Sequence, residues 1–143
     1  MVKDKMSLRE SESNSLECLA GIRILLVEDE PDIAELLIVI LEAAGAEVMA
    51  FISAEAALAS LQSLHPDILL CNAVLPYHHG NWLIQQIRRH SSPYIRQLPA
   101  IAITSYTREF SIRQALNAGF DRFLFKLDSI EEIEGVIVEL LST

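Results

Sequence analysis

The side chains of this chain that could do chemistry follow short apolar runs, one polar group or pair after each of four runs. They are Glu28 with Asp29, then Asn72, then Thr104 with Ser105, and finally Lys126. Paired carboxylates supply the hard oxygen ligands that Mg²⁺ prefers. A lysine and a hydroxyl can hold the oxygens of a phosphoryl group. Gathered in one place, these side chains would form a pocket for a cation and a phosphoryl group.

Asn72 has the most restricted chemistry of this set. Formation of an acyl phosphate needs a carboxylate oxygen as the nucleophile. The oxygen of an amide is neutral, and its lone pair is delocalised into the C–N bond. Asn72 can still coordinate a cation through its carbonyl or donate hydrogen bonds from its NH₂ group. We therefore expect that Asn72 does not accept a phosphoryl group.

The elements that must position these residues alternate along the chain. Strands are predicted over 22–27, 47–52, 68–71, 100–103 and 122–125, and helices over 32–44, 54–64, 82–90, 108–118 and 130–141. Ser53 and Asn81 are predicted to cap the second and third helices, Asp128 or Ser129 the last one, and 93–99 is predicted to be a loop. This alternation indicates a parallel sheet with helices on both faces and right-handed crossovers. The carboxyl ends of its strands would share one edge, so the polar residues should converge there.

Composition and charge argue against a protein that binds nucleic acid, spans a membrane or is secreted. The 143 residues suit one domain, and a net charge of −9 argues against nucleic acid and against an anionic membrane surface. The apolar runs are far shorter than the ~18 residues that a membrane span needs, and residues 1–21 lack the apolar core of a secretory signal. We expect a cytoplasmic protein. Cys18 and Cys71 are not expected to form a disulfide or a zinc site.

Several segments in order match one family. The chain resembles the receiver domain of two-component response regulators over roughly Gly21 to Thr143. The matching segments are 24–30 (ILLVEDE), 66–72 (PDILLCN), Leu75-Pro76 with Gly80, 103–105 (ITS), 115–119 (ALNAG) and 123–126 (FLFK). The resemblance implies a flavodoxin-like, doubly wound, five-stranded parallel sheet of order 2-1-3-4-5 with five helices. Residues 1–20, rich in Ser, Glu and Lys, are then a tail or linker, and 21–143 the receiver domain.

The resemblance also implies roles for single residues. Glu28 and Asp29 would bind Mg²⁺ together with the backbone carbonyl of Val74. Thr104 would be the switch hydroxyl, Phe123 the switch aromatic residue, and Lys126 the partner of the acids and of the phosphoryl oxygens. Asn72 stands where the family has its phosphoacceptor aspartate, which should weaken Mg²⁺ binding. Leu127 stands where the family usually has proline, so we expect a trans bond and a re-aimed Lys126.

Three functions remain open at this stage. The first is a receiver-type module, not an enzyme, that signals by contact with a sensor histidine kinase or an output protein, or as a homodimer through the face near Tyr106–Phe125. The second is an ordinary phosphorylatable receiver in which Asn72 is an engineered or deamidating substitution. The third is a flavodoxin-like small-molecule binder, which the acidic segment Glu28–Pro31 disfavours because it would repel a phosphate. His78 and His79 are adjacent in a loop, which favours a solvated turn over a metal site.

Overall fold

The core of the molecule is a five-stranded parallel sheet. The computed structural model describes residues 17–104, 112–125 and 130–142. Its strands are β1 (Arg23–Val27), β2 (Glu47–Phe51), β3 (Ile68–Asn72), β4 (Ala100–Thr104) and β5 (Arg122–Phe125). They lie in the order β2-β1-β3-β4-β5, and all four pairings are parallel. The predicted flavodoxin-like sheet order is confirmed.

The described residues form six α-helices, one more than the sequence predicted. They are α1 (Pro31–Ala43), α2 (Ala54–Leu64), α3 (Gly80–Arg88), α4 (Pro93–Arg96), α5 (Ile112–Ala118) and α6 (Ile133–Leu141), with a 3-10 turn over Ile130–Glu132. Ser53 caps α2 as predicted, since its Oγ accepts a hydrogen bond from the N–H of Ala56 at 3.2 Å. Residues 108–111 of the predicted fourth helix and the predicted caps Asp128 and Ser129 lie outside the described ranges. None of these helices has the length and apolarity that crossing a bilayer requires.

Two local predictions were wrong. Residues 93–96 form the short helix α4 because Pro93 suits a first helical turn, and the N–H of Arg96 closes that turn on the carbonyl of Ser92 at 2.9 Å. The cap of α3 is His79, not Asn81, and it acts without a side-chain hydrogen bond. Asn81 lies inside the first turn, where its Oδ1 is buried and has no hydrogen-bond partner.

The sheet separates two apolar layers. Leu25, Val27, Leu69 and Cys71 face a cluster that includes residues of α2 and α3, whereas Ile24, Leu26, Ile68 and Leu70 face a cluster built with α1 and α6. Side chains alternate between the two faces along each strand. All five residues of β3 are buried, as expected for the central strand of a parallel sheet covered on both sides.

The last residues before Gly21 contribute to this packing. Leu19 is fully buried in the α1 and α6 layer, and its N–H donates to the carbonyl of Ala44 at 2.9 Å. The division into a tail over 1–20 and a domain over 21–143 stays a prediction. Leu19, on the tail side of that division, nevertheless completes the apolar layer.

Gly80 lets α3 begin directly against the end of β3. Its N–H donates to the carbonyl of Ala73 at 2.9 Å. A Cβ atom at this position would lie 2.7 Å from the backbone oxygen of Asn72 and 3.2 Å from Sγ of Cys71. Only a residue without a side chain fits this contact.

Replacing Gly80 with alanine should therefore destabilise the fold. We expect Gly80→Ala to lower the free energy of unfolding by about 1–3 kcal/mol, because the added methyl group meets backbone atoms and overpacks the site. Urea denaturation followed by circular dichroism measures the change. Gly135→Ala in α6 is the matched control, since a Cβ there meets nothing within 4 Å. Equal stability of Gly80→Ala and the wild type would contradict the close packing.

Candidate functional site

The backbones of β1 and β3 bring the first acid and the amide side by side. In the register of the pair, Val27 lies opposite Cys71, so Glu28 and Asn72 follow at the same edge of the sheet. The N–H of Glu28 donates to the carbonyl of Phe51 at 3.0 Å, and the N–H of Ala73 donates to the carbonyl of Ile103 at 2.8 Å. Hydrogen bonding between neighbouring strands therefore extends to this edge and fixes both residues.

The side chain of Asn72 bridges the two acids. Its Nδ2 donates to Oε2 of Glu28 at 3.0 Å and to Oδ1 of Asp29 at 3.2 Å. Its Oδ1 accepts a hydrogen bond from the N–H of Val74 at 3.3 Å. Every hydrogen-bonding group of the carboxamide thus has a partner on a neighbouring segment.

This hydrogen-bond pattern permits a single orientation of the amide. Carboxylates only accept hydrogen bonds and a backbone N–H only donates. Rotating the amide by half a turn would place its oxygen against two carboxylates and its NH₂ group against the N–H of Val74. All three hydrogen bonds would become repulsive contacts. The orientation of Asn72 is therefore set by its partners.

Glu28 and Asn72 have little access to water, whereas Asp29 is half-buried. Glu28 is 2% exposed and Asn72 is 4% exposed. Oε2 of Glu28 also accepts the N–H of Glu30 at 3.1 Å, so this oxygen receives two hydrogen bonds. Hydrogen bonds to a carboxylate are the means by which a buried charge becomes tolerable. The amide of Asn72 is thus part of what keeps Glu28 in place.

The residue types at this edge include oxygen ligands of the kind that Mg²⁺ accepts. A cation bound by both acids would lie between the carboxylates, where the amide now directs its N–H groups. Binding of such a cation would break the hydrogen bonds from Nδ2 of Asn72 to Glu28 and Asp29. Within the described ranges, no group of three or more His, Cys, Asp or Glu side chains is placed to hold a metal.

Of the other predicted site residues, Thr104 and Phe123 lie within the described part of the chain. Thr104 ends β4, is 2% exposed, and follows Ile103, which pairs with Asn72. Phe123 lies within β5 beside Ala102, half-buried, with its ring 5.1 Å from that of Phe125 in an edge-on contact. Lys126 and Leu127 come directly after β5 and lie outside the described residues.

The two adjacent histidines make separate contacts. Nδ1 of His79 accepts the N–H of Leu75 at 3.2 Å. The ring of His78 stacks on that of Trp82, with centroids 4.0 Å apart. Both histidines are exposed. One therefore closes the turn after the site, and the other packs on the first turn of α3.

The bridging role of the NH₂ group was not predicted from sequence. The amide was expected either to coordinate a cation or to donate hydrogen bonds, and only its surroundings decide between the two. The contribution of the N–H of Glu30 was also missed. The spacing Glu28-x-Glu30 after a strand was the available signal, because a side chain often accepts from the N–H two residues on.

The comparisons with known proteins agree with this fold. Residues 24–137 match the model of the response regulator receiver domain. The chain is 38% identical over 119 residues to an uncharacterized 14.6 kDa protein in the sodA1 3′ region of Leptolyngbya boryana, covering 82% of this chain and 89% of that protein. It spans less than half the length of the DNA-binding response regulators that it also matches.

Solved structures show the same fold. A response regulator from Chloroflexus aurantiacus J-10-fl has a TM-score of 0.76 at 29% identity, over 85% of this chain and 98% of that chain. The receiver domain of sensor histidine kinase PA1611 from Pseudomonas aeruginosa PAO1 has a TM-score of 0.77 at 26% identity, over 87% of this chain and all of that one. That structure holds a magnesium ion coordinated in its active site cleft.

The thiol beside the site provides a test of its burial. Cys71 is fully buried, and burial followed by the charge of Glu28 raises the pKa of its thiol. Cys18 is exposed, and partial desolvation followed by the nearby Glu134 raises the pKa of its thiol as well. A raised pKa lowers the fraction of reactive thiolate at a given pH.

We expect N-ethylmaleimide to modify Cys18 and spare Cys71 in the folded protein, as read by intact mass. Because the pKa of the Cys18 thiol is raised, its rate of modification should increase with pH at a higher pH than that of a free cysteine. Glu134→Gln removes a nearby negative charge and should shift this increase to lower pH. In urea both thiols should react. Modification of Cys71 as fast as Cys18 in the folded protein would contradict the burial of this edge.

Proposed function

The chain belongs to the response regulator receiver domain family, and from this premise we propose that it is a signalling module of a two-component system that does not use aspartyl phosphorylation. It acts by contact with other proteins and catalyses no reaction of its own. Its unpaired thiols suit the reducing cytoplasm, where we propose that it works.

A single observation carries this proposal. The carboxamide of Asn72 occupies the acceptor position and is engaged in hydrogen bonds to Glu28, Asp29 and Val74. An amide oxygen lacks the charge of the nucleophile, and here that oxygen is also occupied by a backbone N–H. Mg²⁺ should bind more weakly than to a receiver with aspartate at this position, since the amide must leave the carboxylates first.

The hydrogen bonding of Ala73 disfavours deamidation of Asn72, the reaction that could convert it into a phosphorylatable aspartate. Deamidation of Asn72 would proceed by attack of the backbone nitrogen of Ala73 on the side-chain carbonyl carbon. That nitrogen donates to Ile103 at 2.8 Å within the sheet, and Asn72 is nearly fully buried. We therefore propose that the protein functions with an amide at this position. The acids at the strand edge likewise disfavour a phosphate-bearing small molecule.

Phosphorylation of the purified protein tests the proposal directly. After incubation with Mg²⁺ and a small phosphodonor such as acetyl phosphate, we expect the intact mass of the wild type to stay unchanged. Asn72→Asp restores the carboxylate nucleophile and should gain the mass of one phosphoryl group. This variant is the matched control for the rest of the pocket.

A stable single adduct on the wild type that disappears in Asn72→Ala would overturn the proposal. An adduct that persists in Asn72→Ala and maps to another aspartate, such as Asp29, would overturn it as well.

The face near Tyr106–Phe125 is our candidate for the protein contact. Within its described part, Ile112 and Leu116 lie one turn apart on α5 and are 45% and 44% exposed. Apolar side chains exposed at this spacing suit a packed protein contact. The partner is a sensor histidine kinase, an output protein or a second copy of the chain.

The homodimer form of this contact can be measured by light scattering. If the face joins two copies, Leu116→Glu should raise the dissociation constant at least about tenfold, because a charge would be buried in an apolar contact. Val39→Glu, an exposed position on α1, should leave the oligomeric state unchanged. A dimer that survives Leu116→Glu, or a monomer at all concentrations, would rule out a homodimer through this face.

A further inference from the structure

The acid pair at the sheet edge poses an electrostatic problem that the chain must solve. Asp29 lies directly after Glu28, and both carboxylates reach the same amide nitrogen, at 3.2 Å and 3.0 Å. Like charges this close destabilise each other. A carboxylate at position 72 would add a third negative charge at hydrogen-bond distance from the first two.

The carboxamide of Asn72 is neutral, so this third charge is not present. Its contacts with the two carboxylates are attractive, where those of a carboxylate would be repulsive. Two N–H hydrogens now point at the two carboxylates, so what would be repulsion becomes attraction. The oxygen of the same amide accepts the N–H of Val74 and fixes the chain just after β3. One side chain thus links the end of β1 to the segment that leaves β3.

We propose that the amide of Asn72 is a built-in substitute for the divalent cation at this edge of the sheet. It holds the acid pair and Val74 in one arrangement with no bound ion, so the stability of the domain does not depend on Mg²⁺. This inference rests on the proposed function and adds what keeps the site in a single state.

The proposal makes Mg²⁺ and the amide competitors for the same carboxylate oxygens. Binding of the ion must break two hydrogen bonds to carboxylates and, if the amide turns its oxygen to the ion, the hydrogen bond to Val74. Losing these contacts should weaken Mg²⁺ binding at least about a hundredfold relative to Asn72→Asp. That variant should show the opposite behaviour, with low stability in chelator and strong stabilisation by Mg²⁺.

Thermal unfolding of the full chain in EDTA and in millimolar Mg²⁺ tests this competition. We expect Mg²⁺ to raise the Tm of Asn72→Asp by about 5 °C or more and that of the wild type by less than about 1 °C. In EDTA the wild type should be the more stable of the two. NaCl at matched ionic strength controls for screening. Asp29→Asn in the Asn72→Asp background should abolish the response.

A wild type that gains as much Tm from Mg²⁺ as Asn72→Asp would overturn the proposal. If Asn72→Asp does not fold, NMR of the side-chain amide of Asn72 in the wild type tests whether Mg²⁺ displaces it. We expect its two hydrogens to exchange slowly and to keep their chemical shifts when Mg²⁺ is added. Shifts that follow a saturating Mg²⁺ titration would show displacement of the amide and would equally contradict the proposal.

These outcomes are separable from those of the phosphorylation experiment. A wild type that binds Mg²⁺ tightly but gains no phosphoryl mass would end this inference and leave the proposed function standing. A phosphoryl adduct on Asn72 would end the proposed function and this inference together.

Discussion

One buried carboxamide forms hydrogen bonds to three residues at the carboxyl edge of this sheet. Asn72 gives both hydrogens of its NH₂ group to Glu28 and Asp29 and takes the N–H of Val74 on its oxygen. A buried carboxylate is stable only where donors surround it, and here the donors come from the chain itself. This one side chain therefore connects both acids to the segment that follows β3.

The strands make that contact unavoidable. Parallel pairing of β1 with β3 places Glu28 and Asn72 at the same edge of the sheet. The hydrogen bonds from the N–H of Glu28 to Phe51 and from the N–H of Ala73 to Ile103 hold the backbone there. Gly80 then lets α3 start against the carbonyl of Asn72. The proposed function follows from this arrangement if Asn72 stands at the acceptor position, as the family resemblance implies: the fold of a receiver would be kept while the nucleophile is replaced by an amide.

Much of this arrangement could be predicted from the sequence because parallel strands end on one edge. That rule brings Glu28, Asn72 and Thr104 to one edge, and the strand order implied by the family resemblance makes their strands neighbours. The direction of the Asn72 amide could not be predicted, since a carboxamide offers donors and acceptors at nearly the same place. The predicted cap of α3, Asn81, was wrong for another reason. Gly80 approaches β3 so closely that the helix begins before Asn81, a tertiary contact that no local pattern reveals.

A high-resolution crystal structure of the wild type grown in Mg²⁺ tests the bridging amide most directly. It should show Nδ2 of Asn72 within hydrogen-bond distance of both Glu28 and Asp29, with no ion between them. An octahedral ion about 2.1 Å from Asp29 and from Oδ1 of Asn72 would contradict the account, because it would mean that the carboxamide serves as a ligand of the ion.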